Sequence, residues 1–144
     1  MRVLEDGRAG DAATLKLLRS VFTKGMEALA VECLVCAEHF GVRDRLYDIL
    51  GDIDRAPLKD FLNMLVTTHL LHAERRWHEV DNAIAQLEAA ELPPRVMLGV
   101  REVFERTAQA DWKKHNDDAL SVSVEDALVA LKAITQRDGQ HHPA

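Results

Sequence analysis

The residues of this chain best placed to do chemistry lie between Gly10 and Gly25, in the run GDAATLKLLRSVFTKG. At roughly 100° per residue, Lys16, Arg19, Ser20, Thr23, Lys24 and Glu27 fall on one helix face. Leu15, Leu17, Leu18, Val21, Phe22, Met26 and Leu29 fill the other faces. Such a helix is expected to be buried on most sides and wet along one stripe. The stripe carries the cations Lys16, Arg19 and Lys24 in a chain whose net charge is −6. A local positive groove on an acidic protein points to a small anionic ligand rather than to nucleic acid. A lysine in water is protonated at neutral pH and is a poor base. Burial and the neighbouring charges of Arg19 and Lys24 are expected to bring Lys16 into a useful range, with Ser20 and Thr23 offering hydroxyls to an oxygen-rich ligand. The competing reading is a solvated helix face with Lys16 or Lys24 paired to a carboxylate.

Other constellations are weaker. His69 and His72 stand one turn apart, with Glu74 and His78 close behind. A closed metal site needs further ligands that this spacing does not supply, and the paired Glu-x-x-His segments of di-metal bundles are missing. Arg75, Arg76, Trp77, His78 and Glu79 form a dense polar cluster, either a salt-bridged surface or the second wall of an anion pocket. Cys33 and Cys36 have CxxC spacing. They lie inside an apolar helical pattern without a Gly, Pro or cation to activate a thiolate, so they read as buried structural thiols in a reducing cytoplasm. No glycine-rich phosphate loop and no Ser/His/Asp or Cys/His arrangement is present.

The elements that must position these residues are helices. The first runs from a cap at Asp11 to about Phe40 and stops at Gly41, a residue suited to a left-handed stop. Between Ala28 and Ala37 it is apolar nearly all round except for Glu32, as in the middle of a bundle or an interface. A short helix is expected near Arg43–Leu50. A longer pattern starts at Pro57 and runs through Leu87, with a break expected near Leu71–Ala73. Pro93-Pro94 ends it and starts another helix. Residues 111–120 read as a charged loop. Ser123 with Asp126 resembles a capping box that opens a last helix. The reading is a single all-α domain over 1–144, a multi-helix bundle built around one long N-terminal helix, with flexible ends at 1–9 and 138–144. No uncharged apolar run reaches the roughly 18 residues that span a membrane, and the negative balance argues against nucleic acid.

The segment ATLKLLRSVFTKGMEAL resembles the C-terminal helical domain of the 3-hydroxyacid dehydrogenase and 6-phosphogluconate dehydrogenase superfamily, and is most similar to its phosphogluconate-dehydrogenase-like members. The resemblance covers about residues 9–110. Gly10 matches the first glycine of the family's helix, Ala12 replaces the second, Lys16 matches the catalytic lysine, and Ser20 stands where an asparagine is usual. His78-Glu79 occupies the place of a Lys-Asp pair. The resemblance implies a substrate and dimerisation domain of an NAD- or NADP-dependent oxidoreductase acting on a small hydroxy acid or sugar acid. Lys16 is then acid or base at the substrate hydroxyl while hydride moves to the cofactor. Arg19, Ser20, Lys24 and His78 are the implied substrate contacts. The nucleotide-binding half is absent from this sequence, so a Rossmann domain is expected in cis or in trans. The chain alone should bind no NAD, NADP or metal and should not be active. A homodimer in the cytoplasm is expected. The alternative is a stand-alone helical interaction module without catalysis.

Overall fold

The computed structural model describes residue 8, residues 10–115 and residues 121–141. Among the described residues there are five α-helices and no strand. They are α1 (Asp11–His39), α2 (Arg43–Leu50), α3 (Leu58–Ala89), α4 (Arg95–Gln109) and α5 (Val124–His141). Short 3₁₀ turns lie at Ile53–Arg55 and Trp112–His115. The all-α bundle expected from the periodicity is the observed architecture.

The helix ends follow from local chemistry. Gly41 adopts φ 66° just past α1, and the Val42 N–H donates back to the Ala37 carbonyl at 2.9 Å, which satisfies an orphan carbonyl of the last turn. The same closure ends α3, where the Leu92 N–H reaches the Leu87 carbonyl at 2.9 Å. There the left-handed position is held by Glu91 at φ 59°. Pro93 and Pro94 then prevent α3 from continuing. At the start of α5 the Asp126 N–H donates to Ser123 Oγ at 3.1 Å, so Ser123 is the cap its spacing suggested. Asp11 is not a cap. Gly10 holds that position at φ 100°, and Asp11, in the first turn, accepts the Arg8 N–H at 2.8 Å.

α3 is the axis of the packed core. Leu70 meets Ala127 and Ile134 of α5, with Val66, Trp112 and Leu131 packed around them. Leu70, Ala73, Val80 and Ile84 form one buried stripe along α3. That continuous stripe is why no break occurs at Leu71–Ala73: the apolar face keeps helical register across the segment. α4 lies along α3, and α5 packs against both. α5 also runs further than expected, through Gln140 and His141. Its last turns are tied by Arg106 to Asp138 at 3.4 Å and by His141 Nδ1 to the Arg137 carbonyl at 2.8 Å. The expected loose ends at 1–7, 9 and 142–144, and the loop at 116–120, lie outside the described residues.

α1 departs from expectation in its burial. It touches α2 and α4, and its one buried residue is Ala37. Leu17 is 62% exposed and Val21 63%. α3, α4 and α5 are committed to one another, and nothing among the described residues covers the first half of α1. Cys33 and Cys36 are likewise half-buried rather than buried. Desolvation, then the Glu32 carboxylate and Cys33, push the Cys36 thiol above its ordinary value, which leaves it unactivated.

Candidate functional site

The stripe that opens the chain lies on a regular helical face. Lys16, Arg19 and Ser20 are all exposed on the first half of α1, and among the described residues neither Lys16 nor Arg19 forms an ion pair. The burial expected at Lys16 is therefore not supplied by the described residues. Thr23 turns its hydroxyl onto its own helix, donating to the Arg19 carbonyl at 3.0 Å. Lys24 pairs with Glu27 at 3.1 Å, both side chains largely exposed. For Lys24 the solvated ion-pair reading holds in this structure.

One turn further on, α1 meets the start of α4. The two Glu32 oxygens accept the backbone N–H groups of Val96 and Met97, at 2.8 and 3.0 Å. Pro94 gives α4 a first turn without a side-chain cap of its own, and a carboxylate from another helix serves instead. Beside this contact lies an open groove of about 570 Å³, walled by Val31, Val35, Leu92, Pro93 and Val96 with Lys24 at one edge. Its lining is mainly apolar.

A second cavity, of about 480 Å³, opens between α3, α4 and the 3₁₀ turn at Trp112–His115. Leu70 and Ala73 lie at its base, and His72, Arg75, His78 and Lys113 stand along it. Arg75 is paired with Glu79 one turn on. His78 stacks on Trp77 with ring centroids 5.3 Å apart. The structure thus divides the predicted residues among three places: Lys16, Arg19 and Ser20 on open helix, Lys24 at the groove, and His78 at the second cavity.

His69 packs between α3 and α4. Its Nε2 lies 2.8 Å from Thr107 Oγ1, and its ring meets Phe104 edge-on at 4.6 Å. The Thr107 hydroxyl donates to the Val103 carbonyl at 3.2 Å, so its oxygen accepts from the imidazole N–H. Desolvation, then Arg76 and Arg106, hold the His69 pKa below its ordinary value. Among the described residues, no three His, Cys, Asp or Glu side chains are grouped to hold a metal. No helix among them is long and apolar enough to cross a membrane.

One contact escaped the sequence reading, and a cavity was read only in part. The Glu32 cap was signalled by one carboxylate in the otherwise apolar Ala28–Ala37 stretch, because a charge in such a setting needs a partner. The cavity over α3 was signalled by His72, Arg75 and His78 at successive spacings of three residues, but Lys113, which completes it, comes from a segment far away in sequence.

Comparison with known proteins gives a partial likeness. A family model described as a domain of unknown function, DUF1932, matches residues 37–107. That match covers α2, α3, most of α4 and the last turn of α1. The chain is 28% identical over 97 residues to an uncharacterised 28.5 kDa protein from the 7S RNA 5′ region of Methanothermus fervidus. The aligned part is 67% of this chain and 39% of that protein, so the chain spans well under half of this relative's length. No solved structure matches. The chain is therefore similar over residues 37–107 to a domain of unknown function, and over 97 residues to part of a longer protein, while its described residues are helical.

Proposed function

We propose that this chain is the substrate-binding and dimerisation domain of an NAD(P)-dependent oxidoreductase of the β-hydroxyacid dehydrogenase type, acting on a small hydroxy acid or sugar acid. The observation that carries the reading is the uncovered first half of α1. There Lys16, Arg19 and Ser20 share a face, while Leu15, Leu17, Leu18, Val21 and Phe22, each between 39% and 63% exposed, occupy the rest. Apolar surface on that scale calls for a further layer of protein. A layer closed against this helix turns the Lys16 face into a cleft between domains, where ligand sites form. The greater length of the Methanothermus fervidus relative supports a partner domain in cis.

This chain's own residues do not fit a dinucleotide. The pyrophosphate of NAD or NADP is held on a strand–turn–helix unit with a glycine-rich turn, and no strand is present among the described residues. On this reading the nicotinamide is held by a second domain. Lys16 carries the proton at the substrate hydroxyl oxygen, taking it in one direction and returning it in the other. Arg19 and Lys24 oppose the substrate's anionic charge, Ser20 hydrogen-bonds its oxygens, and His78 contributes from α3 in the assembled protein.

The test is NAD(P)-linked turnover of small hydroxy acids and sugar acids by the protein with its nucleotide-binding half, in cis or in trans. Turnover that requires this domain supports the reading. The same uncovered helix also favours a helical interaction module without chemistry, and that reading gains if no NAD(P)-linked activity is found while a partner binds α1.

A further inference from the structure

We propose that the cavity between α3, α4 and the Trp112–His115 turn is a binding site for a small oxyanion-bearing ligand, with His72 and Lys113 as binding residues alongside Arg75 and His78. The geometry is that of a built pocket. Its volume of about 480 Å³ falls within the roughly 300–1,000 Å³ usual for small-molecule sites. The base is apolar, from Leu70 and Ala73, which are 4% and 3% exposed. Along it stand two imidazoles, a guanidinium and an ammonium. His72, Arg75 and His78 rise from α3 at three-residue intervals, and Lys113 faces them from the turn that follows α4. Apolar floor with a few convergent polar groups is what a small organic anion requires. Imidazole, guanidinium and ammonium together offer donors that carboxylate and phosphate oxygens accept.

The charge pattern agrees. His72 is exposed, yet its pKa lies below the ordinary histidine value. Partial desolvation by its neighbours acts first, followed by the positive charge of Arg76, Arg75 and Lys113. Cations crowd this point on a chain of net charge −6. Glu74 and Asp111 also line the cavity, and Glu79 engages Arg75. The Arg75 and Glu79 side chains are 63% and 57% exposed, so that pair is screened by solvent and can exchange for a ligand oxyanion at little cost.

The site shares His78 with the dehydrogenase reading but is measured without turnover. Binding without NAD(P)-linked activity keeps the site and removes that reading, and the reverse outcome does the opposite. The probes are inorganic phosphate and malonate, added to the chain while NMR follows the ring resonances of His72 and His78. Sodium chloride at matched ionic strength is the reference. The expected result is a saturable shift of both rings and an upward move of the His72 titration midpoint. Lys113→Met and Arg75→Met should each weaken binding at least about fivefold, the loss of one charge-assisted contact. Tighter binding of phosphate or of malonate identifies which oxyanion the site is built for. Shifts that chloride reproduces, or that survive both substitutions unchanged, would overturn the proposal.

Discussion

The Glu32 carboxylate of α1 lies 3.0 Å from the Met97 backbone nitrogen, and its other oxygen lies 2.8 Å from that of Val96, so one helix caps another across 64 residues of sequence. This contact fixes where α1 leaves the bundle and hence where the Lys16 face stands relative to α4.

Breaking the cap should cost stability. Glu32→Ala leaves two part-buried N–H groups without their charged acceptor, and the expected loss is about 1.5–3 kcal/mol. Glu32→Gln keeps an acceptor oxygen and should lose less. Urea unfolding followed by circular dichroism checks both. Equal midpoints for the wild type and Glu32→Ala would show that α1 is held by its apolar contacts alone.

Acid should weaken the fold through His69. Its folded pKa is depressed, chiefly by desolvation and then by Arg76 and Arg106. Below the ordinary histidine value, near 6.5, the unfolded chain takes up a proton that the folded chain resists, so stability falls as pH falls through that window. The contribution is complete above the ordinary value. The unfolding midpoint should drop between neutral and mildly acid pH, and His69→Gln should flatten that dependence. An equally steep profile in the variant would assign the acid lability elsewhere.

The exposed apolar face of α1 should be covered by a second copy. A homodimer through the Ala28–Ala37 stretch would bury Val31 and Val35, which are 60% and 56% exposed, and an obligate interface of this kind covers at least about 2,000 Å². Sedimentation equilibrium should find a dimer across micromolar concentrations. Val31→Glu with Val35→Glu should shift it to monomer while leaving the α3–α4–α5 core folded. A wild-type monomer throughout that range would refute the dimer.

Much of the fold was legible because its signals are local. Gly41, Pro57, Pro93-Pro94 and Ser123 each mark a helix end by their own backbone chemistry, and all four stand at observed boundaries. The break expected near Leu71–Ala73 does not occur, because Leu70 and Ala73 belong to one buried stripe along α3. In three dimensions His69 is accommodated by Thr107, a residue that periodicity within α3 does not reveal. The burial of α1 was overestimated because an apolar face shows that a helix needs covering, not which chain supplies the cover. The candidate residues Lys16 and His78 were legible as types, but their separation onto α1 and the cavity over α3 depends on helix packing that their spacing does not encode.

Lys16 carries the proton in the proposed reaction, and steady-state kinetics of Lys16→Met in the protein with its nucleotide-binding half check this role. Lys16 is exposed on α1 in this chain, so methionine should keep the helix and the fold, which circular dichroism verifies. The predicted result is a fall in kcat of about 10²-fold or more, the usual share of a general acid–base group. Lys24→Met should instead mainly raise KM, as expected for a residue that holds the anion. A folded Lys16→Met protein turning over at a near wild-type rate would contradict the account and leave the stripe as a solvated helix face.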